Sequence, residues 1–183
     1  MKITTTPIDG LLILEPVVHR DDRGYFFESY NKKTFETATG LSIDFVQDNQ
    51  ALSVKNVLRG LHYQNNPVPQ CKLLRVLEGS IWDVAVDIRK ASKTYGQWFG
   101  LELSAENKLQ FLIPAGFAHG YAVLSDVSTV FYKCDNLYDK PCEGGVLYND
   151  PAINIDWKID LSKANISEKD KNQPLLVNAN NQF

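Results

Sequence analysis

Apolar and polar residues alternate over short stretches along most of this chain, and glycine or proline separates many of these stretches. The clearest alternation is in residues 80–88, where Trp82, Val84 and Val86 are interleaved with the odd-numbered residues. Successive side chains of a β-strand point to opposite faces of a sheet, so a period of two predicts a strand with one buried face. Residues 78–80 (EGS) separate it from another such stretch, which predicts a tight turn and a β-hairpin.

Similar stretches rich in Val, Ile, Phe and Tyr recur along the chain, as is typical of an all-β sandwich or barrel. Early in the chain, only residues 32–39 predict a helix, which ends at Gly40. From about residue 140 to residue 183 the alternation weakens, which predicts a loop-rich extension packed on the barrel within a single domain, 1–183. The predicted strands are residues 11–16, 24–31, 45–53, 57–62, 72–78, 80–87, 98–103, 110–113, 118–124 and 128–134.

The composition fits such a domain and excludes several classes of protein. Hydrophobic residues make up 44% of the chain and charged residues 22%, as in ordinary globular proteins. No stretch approaches the roughly 20 apolar residues of a membrane span, and the first residues lack a signal-peptide pattern. A net charge of −3 provides no general attraction to nucleic acid. Cys71, Cys134 and Cys142 lack paired metal-ligand spacing and are typical of a reducing cytosol, so we expect a cytoplasmic protein.

The three histidines are candidates for chemistry, although each also has a structural explanation. His19 lies in a charged stretch that is typical of a solvated turn. His62 and His119 lie in predicted strands next to glycines, where a backbone can approach a ligand closely. A lone histidine in a strand is more often structural than catalytic, so the histidines alone do not establish an active site.

Residues 114–120 (PAGFAHG) have the Pro-x-Gly-x-x-His spacing of the second cupin motif, in which the histidine often binds a metal. The first cupin motif supplies two histidines one residue apart and then a glutamate seven positions before a glycine. Here Gln64 replaces the second histidine, and Lys72, seven positions before Gly79, replaces the glutamate. A lysine repels a divalent cation. The sequence therefore resembles a cupin jelly-roll barrel (a double-stranded β-helix) and predicts no metal site.

Lys72 and Tyr132 each allow two interpretations. Lys72 shares a strand face with Leu74 and Val76. In one interpretation its aliphatic chain packs on that face and the ammonium reaches water. In the other, the ammonium stabilises an oxyanion that develops during a reaction. Tyr132 shares a face with Val130 and is either a core aromatic residue with a bonded hydroxyl or a functional phenol. The residues alone leave both alternatives open.

Six segments, in the same order along the chain, resemble the signature segments of the dTDP-4-dehydrorhamnose 3,5-epimerase family. The resemblance implies an isomerase that inverts C3 and C5 of dTDP-4-dehydro-6-deoxy-D-glucose, giving dTDP-4-dehydro-L-rhamnose for dTDP-L-rhamnose biosynthesis. It also implies that no cofactor is used, and that a homodimer forms in which one subunit completes the site of the other. The segments are 22–29 (DRGYFFES), 46–49 (VQDN), 59–64 (RGLHYQ), 83–89 (DVAVDIR), 113–120 (IPAGFAHG) and 167–170 (SEKD).

The resemblance assigns catalytic roles to four residues. The C4 ketone acidifies the protons at C3 and C5, so inversion needs a base, an acid on the opposite face and a group that stabilises the enolate oxygen. By resemblance His62 is the base, and Asp170 bonds its second ring nitrogen. Lys72 stabilises the enolate, and Tyr132 delivers a proton to the opposite face.

The resemblance also assigns substrate contacts to a second set of residues. Cations suit the diphosphate and an aromatic ring suits the thymine base. Arg59 has an alternative explanation as a partner in a surface or dimer ion pair. The implied contacts are Arg23, Arg59 and Lys169 with the diphosphate, Glu28, Gln47 and Asn49 with the nucleotide, Tyr138 with the thymine ring, and His119, Lys72 and Glu143 with the rest of the substrate.

Three other functions remain as alternatives to the double epimerase. A related enzyme inverts only C3 or only C5 of a dTDP-4-keto-deoxysugar. A sugar-nucleotide-binding cupin binds without catalysis, although binding alone needs neither an acid nor a base. A metal-dependent cupin oxygenase would hold iron or manganese.

Overall fold

The computed structural model describes residues 1–183, which form two β-sheets packed face to face and a short separate hairpin. Two α-helices accompany them, α1 (Lys32–Thr39) and α2 (Glu168–Lys171), with 3₁₀ turns at Lys140–Cys142, Leu161–Lys163 and Leu176–Asn178. No helix has both the length and the apolar character needed to cross a membrane. The strands are β1 (Lys2–Thr5), β2 (Leu12–Glu15), β3 (His19–Asp21), β4 (Gly24–Phe26), β5 (Gln47–Val54), β6 (Val57–Gln64), β7 (Lys72–Glu78), β8 (Ser80–Asp87), β9 (Trp98–Ser104), β10 (Gln110–Ile113), β11 (Phe117–Val123), β12 (Val127–Cys134), β13 (Glu143–Gly145) and β14 (Asn165–Ile166).

The two sheets form a jelly roll, which confirms the predicted fold class. The first sheet has the order β1-β2-β10-β7-β12-β5, and the second has the order β13-β6-β11-β8-β9, with β14 parallel to β6 at its edge. Their inner faces share one apolar core, to which the first sheet contributes Leu74, Phe111 and Val130 and the second contributes Ile81 and Tyr121. Lys72 and Tyr132 extend from this inner face because each lies two residues from a core position on its strand.

Local sequence explains why α1 and the β7–β8 hairpin form where the patterns predict them. The Asn31 side chain caps the first turn of α1 by accepting a hydrogen bond from Thr34 N, and Gly40 ends the helix in the left-handed conformation. Gly79 turns the hairpin with φ +71°, and a Cβ atom there would lie 2.0 Å from the Val127 carbonyl oxygen. Only glycine fits that position.

The prediction that β8 buries one face is wrong, because both of its faces are buried. Asp83 faces the barrel interior, while Val84 and Val86 lie on the outer face of the second sheet. Residues of the C-terminal extension, including Ile153 and Trp157, cover that outer face in a second apolar cluster. The extension therefore replaces the solvent that the alternating pattern led us to expect.

The other differences from the predicted elements lie in short or exposed segments. The predicted strand 24–31 ends at Phe26, and His19 lies in an exposed strand rather than in a turn. The sequence did not predict β1, β3, β13, β14 or α2. The hairpin β3–β4 forms its own two-stranded sheet, with Phe26 74% exposed.

Candidate functional site

Two adjoining cavities open at the mouth of the barrel, with volumes of about 500 Å³ and about 310 Å³. His62, Lys72 and Tyr132 line both cavities, and Asp170 lines the larger one. The structure thus brings together all four predicted catalytic residues, although Asp170 is 108 positions from His62 in the sequence.

His62 and Asp170 form a hydrogen-bonded pair at the wall of the cavity. His62 Nε2 lies 2.7 Å from Asp170 Oδ1, and Asp170 Oδ2 accepts a hydrogen bond from the Gly60 amide at 3.2 Å. Burial alone would raise the pKa of Asp170, but the hydrogen bonds from His62, Gly60 and Ser167 hold that pKa below its ordinary value. Asp170 is therefore a carboxylate that orients the ring of His62 and leaves Nδ1 for a ligand.

Asp170 reaches this position because the extension folds back onto β6. Ser167 caps α2 by accepting a hydrogen bond from Asp170 N at 3.1 Å, and β14 pairs with Val57 and Leu58 of β6. Trp157 anchors the extension, since it is buried and its indole N–H donates to the Tyr148 carbonyl at 2.8 Å.

Lys72 is enclosed in the cavity, and its ammonium has no hydrogen bond or ion pair within the protein. Burial lowers its pKa, while the Cys134 thiol, Asp83 and Glu143 oppose that effect from a distance. An enclosed cation without a protein partner is available to an anion that binds or develops in the cavity.

Tyr132 faces His62 from the other sheet, because His62 lies on β6 and Tyr132 on β12. Burial raises the pKa of Tyr132 to about 12, so the phenol keeps its proton at neutral pH. A carboxylate-supported imidazole on one wall and a protonated phenol on the opposite wall are the two groups that a proton transfer across a bound molecule requires.

His119 lies beside this pair and is held by a second buried carboxylate. Its Nε2 lies 3.0 Å from Asp83 Oδ1 and 3.2 Å from Asp83 Oδ2. Burial lowers the pKa of His119, although Asp83 opposes the effect, so the imidazole is neutral at pH 7. It also pairs with His62 across β6 and β11, which places both histidines at one depth of the cavity.

Most of the predicted substrate contacts also line the cavities. Arg59, Lys169 and His119 line the larger one, and Gln47, Asn49, Tyr138 and Glu143 line the smaller one. The Tyr138 hydroxyl donates to Glu143 Oε2 at 3.2 Å, and Lys169 pairs with Glu143 Oε1 at 2.5 Å. Arg59 forms no ion pair and instead donates from Nε to Ser53 Oγ at 3.0 Å.

Arg23 and Glu28 line neither cavity within a single chain. The Arg23 side chain is 90% exposed on the hairpin β3–β4 and pairs with Asp21 at 2.6 Å. Glu28 accepts hydrogen bonds from Asn31 and Thr34 at the start of α1. Both residues therefore lie apart from the other predicted contacts in the single chain.

The site does not carry the donor set of a metal-binding cupin. No group of three or more His, Cys, Asp or Glu side chains is placed to hold a metal ion. Lys72 lines the cavity in place of an acidic ligand, and the Gln64 carboxamide is bonded to the backbone around Tyr138. The substitutions identified in the sequence therefore remove the ligands themselves.

Comparison with known proteins identifies the family of this chain. Residues 5–178 match the sequence pattern described as dTDP-4-dehydrorhamnose 3,5-epimerase. The chain belongs to this epimerase family. Its relatives include the dTDP-4-dehydrorhamnose 3,5-epimerase of Shigella flexneri, which is 51% identical over 179 residues covering 98% of each chain. The predicted family and the predicted isomerase class are confirmed.

Solved structures of epimerases from this family have the same fold. The dTDP-4-dehydrorhamnose 3,5-epimerase of Elizabethkingia anophelis is 54% identical, with a TM-score of 0.91 and 96% coverage of both chains. The dTDP-6-deoxy-D-glucose-3,5-epimerase of Legionella pneumophila, solved with dTDP-4-keto-L-rhamnose, is 47% identical, with a TM-score of 0.93 and coverage of 97% of this chain and 93% of that one. These epimerases are cupin-type, as the sequence predicts.

Sequence reasoning missed two residues that support the site of this epimerase. Asp83 holds His119, and Ser53 holds Arg59 and lies 3.4 Å from the Tyr121 hydroxyl. Asp83 carried a signal, since a carboxylate at an inward position of an apolar strand needs a buried partner. Ser53 carried none, because a strand serine is common and its partner depends on the barrel register.

Proposed function

We propose that this chain inverts C3 and C5 of dTDP-4-dehydro-6-deoxy-D-glucose and produces dTDP-4-dehydro-L-rhamnose for dTDP-L-rhamnose biosynthesis. Membership of the epimerase family supports the substrate and the reaction. The observation that carries the proposal is the His62–Asp170 pair, which faces the protonated phenol of Tyr132 across a cavity that also encloses the unpaired ammonium of Lys72.

The proposed reaction moves protons only, so it needs no redox cofactor. Nδ1 of His62 removes the proton from C3 or C5, and the electron pair of that C–H bond forms an enolate with the C4 carbonyl. Lys72 stabilises the enolate oxygen, and Asp170 stabilises the imidazolium of His62. Tyr132 then protonates the carbon from the opposite face as the C4 ketone re-forms. His62 and Tyr132 return to their starting protonation states by exchange with solvent.

Substrate binding uses the cations and polar groups at the mouths of the cavities. Arg59 and Lys169 contact the diphosphate, and His119, with Glu143, contacts the sugar side. Gln47 and Asn49 contact the nucleoside, and the ring of Tyr138 stacks on thymine. Because Lys169 is paired with Glu143 in the chain alone, the diphosphate replaces that carboxylate when it binds.

The same proposal includes a homodimer in which Arg23 and Glu28 of the partner subunit complete the site. Arg23 is exposed on the hairpin β3–β4, where Tyr25 and Phe26 also expose 55% and 74% of their surface. Exposed aromatic residues of this kind are typical of interfaces. The enzyme works in the cytoplasm, which its three free cysteines support.

Deuterium exchange tests this function. Chelator-treated protein is incubated with dTDP-4-dehydro-6-deoxy-D-glucose in heavy water, and a reductase converts any epimerised product to dTDP-L-rhamnose. We expect deuterium at both C3 and C5. Exchange at one carbon would identify a single-centre epimerase, and binding without exchange would identify a non-catalytic cupin. Activity that is lost with the chelator and restored by iron or manganese would contradict the metal-free mechanism.

A further inference from the structure

Gln64 occupies the place of a cupin metal ligand, but its carboxamide is committed to the protein backbone. Nε2 donates to the carbonyl of Leu137 at 3.0 Å and to the carbonyl of Val68, and Oε1 accepts from the Asp139 amide at 2.9 Å. Two carbonyl partners at one end and an N–H at the other fix the orientation of the amide. Both amide hydrogens are therefore used within the protein, and the residue is only 4% exposed.

The partners of Gln64 include both neighbours of Tyr138 in the chain. The Tyr138 amide itself donates to Gln47 Oε1 at 2.8 Å, so side chains of two glutamines hold residues 137–139. The ring of Tyr138 is far less constrained, since the residue is 53% exposed and its hydroxyl has a single hydrogen bond, to Glu143. The backbone is fixed while the ring is available to a ligand in the smaller cavity.

We propose that Gln64 is a positioning residue for the nucleotide, which acts by fixing the backbone of Tyr138 beside the smaller cavity. The proposal rests on the proposed function, since it takes the nucleotide as the group that Tyr138 contacts. Gln64 lines the smaller cavity, but its carboxamide is bonded to the backbone, so it acts through Tyr138 rather than by hydrogen bonds to the ligand. The position that supplies a metal ligand in other cupins serves base recognition in this chain.

A double-mutant cycle on dTDP binding tests this inference. Calorimetry measures the Kd of dTDP for the wild-type dimer, Gln64→Met, Tyr138→Ala and the double variant. We expect Gln64→Met to raise Kd about tenfold or more, and Tyr138→Ala to raise it at least as much. The double variant should bind within about twofold of Tyr138→Ala, because two residues that act through one contact are not additive. At saturating substrate, kcat of Gln64→Met should stay within about threefold of wild type.

Asn107 provides a control with a similar set of hydrogen bonds in an exposed turn. Its carboxamide also makes three hydrogen bonds that hold a turn, to Ser104 N, Leu109 N and the Glu102 carbonyl, and it lines neither cavity. We expect Asn107→Leu to leave the Kd of dTDP within about twofold of wild type. A general loosening of the fold by loss of a bonded carboxamide would instead affect both variants.

Two results would overturn the inference: an unchanged Kd in Gln64→Met, or full additivity with Tyr138→Ala. If Gln64→Met does not fold, Gln64→Glu keeps the acceptor for Asp139 N, loses both donors and must show the same non-additivity. Failure of the wild-type protein to bind dTDP would contradict the proposed function itself. Binding that is weakened by Tyr138→Ala but not by the Gln64 variants would contradict only this inference.

Discussion

Asp87 and Lys72 are both charged side chains inside the barrel, but their surroundings differ completely. Asp87 accepts hydrogen bonds from Arg89 Nη2 at 2.7 Å and from the hydroxyls of Ser92 and Thr94, both at 2.6 Å. Lys72 has no protein partner and lines both cavities. Charged groups in a protein interior are normally paired, so an unpaired ammonium on a cavity wall is available to a ligand. We therefore expect the paired charge to stabilise the fold and the unpaired charge to serve the proposed reaction.

The largest effect is expected from removing the negative charge of Asp170, the partner of the proposed base His62. Asp170→Asn keeps the size of the side chain but no longer stabilises the imidazolium of His62. We expect the rate of deuterium incorporation to fall by roughly 10²- to 10⁴-fold with dTDP affinity unchanged. Asp160→Asn is the matched control, since exposed Asp160 bonds only Ser162 and Lys163 in the same extension. An equal loss of rate in the two variants would show that a disturbed extension, rather than the loss of the His62–Asp170 pair, lowers the activity.

Lys72→Met separates function from stability at the unpaired charge. We expect the rate to fall about 10²- to 10³-fold, because the enolate loses its cation. The Tm should rise or stay constant, because the enclosed ammonium opposes folding and methionine does not. A large drop in Tm would show that Lys72 is structural.

The alkaline pH profile tests the same residue. Burial lowers the pKa of Lys72. As the pH rises, wild-type kcat/KM should therefore begin to decline at a pH below about 10.4, the ordinary pKa of lysine, because the ammonium loses its proton there. Tyr132, with a pKa of about 12, stays protonated over that range. The fall should be absent in Lys72→Met, and its persistence there would assign it to another group.

Asp87→Asn tests the paired charge. We expect the free energy of unfolding to fall by about 2–4 kcal/mol in denaturant titrations, because Arg89 loses its buried counter-charge. The rate per folded molecule at 25 °C should not change. The hydrogen bonds of Asp87 outweigh burial and lower its pKa from 3.8 to about 2. This shift contributes on the order of 2 kcal/mol to the free energy of unfolding. The contribution is complete above about pH 4 and is lost as the pH falls through about 2. The variant should lack that loss.

The smallest effect is expected at the exposed hairpin. Arg23→Ala should lower kcat/KM about three- to tenfold through KM, because one of several diphosphate contacts is lost. Mixed dimers with the inactive His62→Asn chain should restore kcat/KM per Arg23→Ala chain, since the partner supplies an intact Arg23. A His62→Asn chain that also carries Arg23→Ala should restore nothing. If the Arg23→Ala and His62→Asn mixture shows no restoration, Arg23 contributes to the site of its own chain rather than to that of its partner.

The long alternating strands were predictable because their periodicity is local. The bounds of β7, β8 and β10 are those predicted, and α1 has both its cap residues in the sequence. In contrast, β14 has two residues and exists only through its pairing with β6, and α2 has four. Segments this short carry no periodic signal, so their positions depend on tertiary packing.

The candidate site was predictable only through the resemblance to a family. Patterns alone left Lys72 and Tyr132 with two interpretations, and they could not bring Asp170 to His62. The alternating pattern of β8 also could not predict that the extension packs on its outer face, because periodicity does not identify the partner of an apolar face. Periodicity shows which side chains share a face, but the sheet register determines which of them meet.

The return of the extension over β6 also affects how the molecule acquires activity. The His62–Asp170 hydrogen bond joins residues 108 positions apart, so it forms only when the C-terminal extension docks on β6. A chain that has formed the barrel strands but has not docked its extension therefore has a cavity in which His62 lacks its Asp170 partner. During refolding, full activity should return no earlier than this contact, so turnover would report docking of the extension rather than the first collapse.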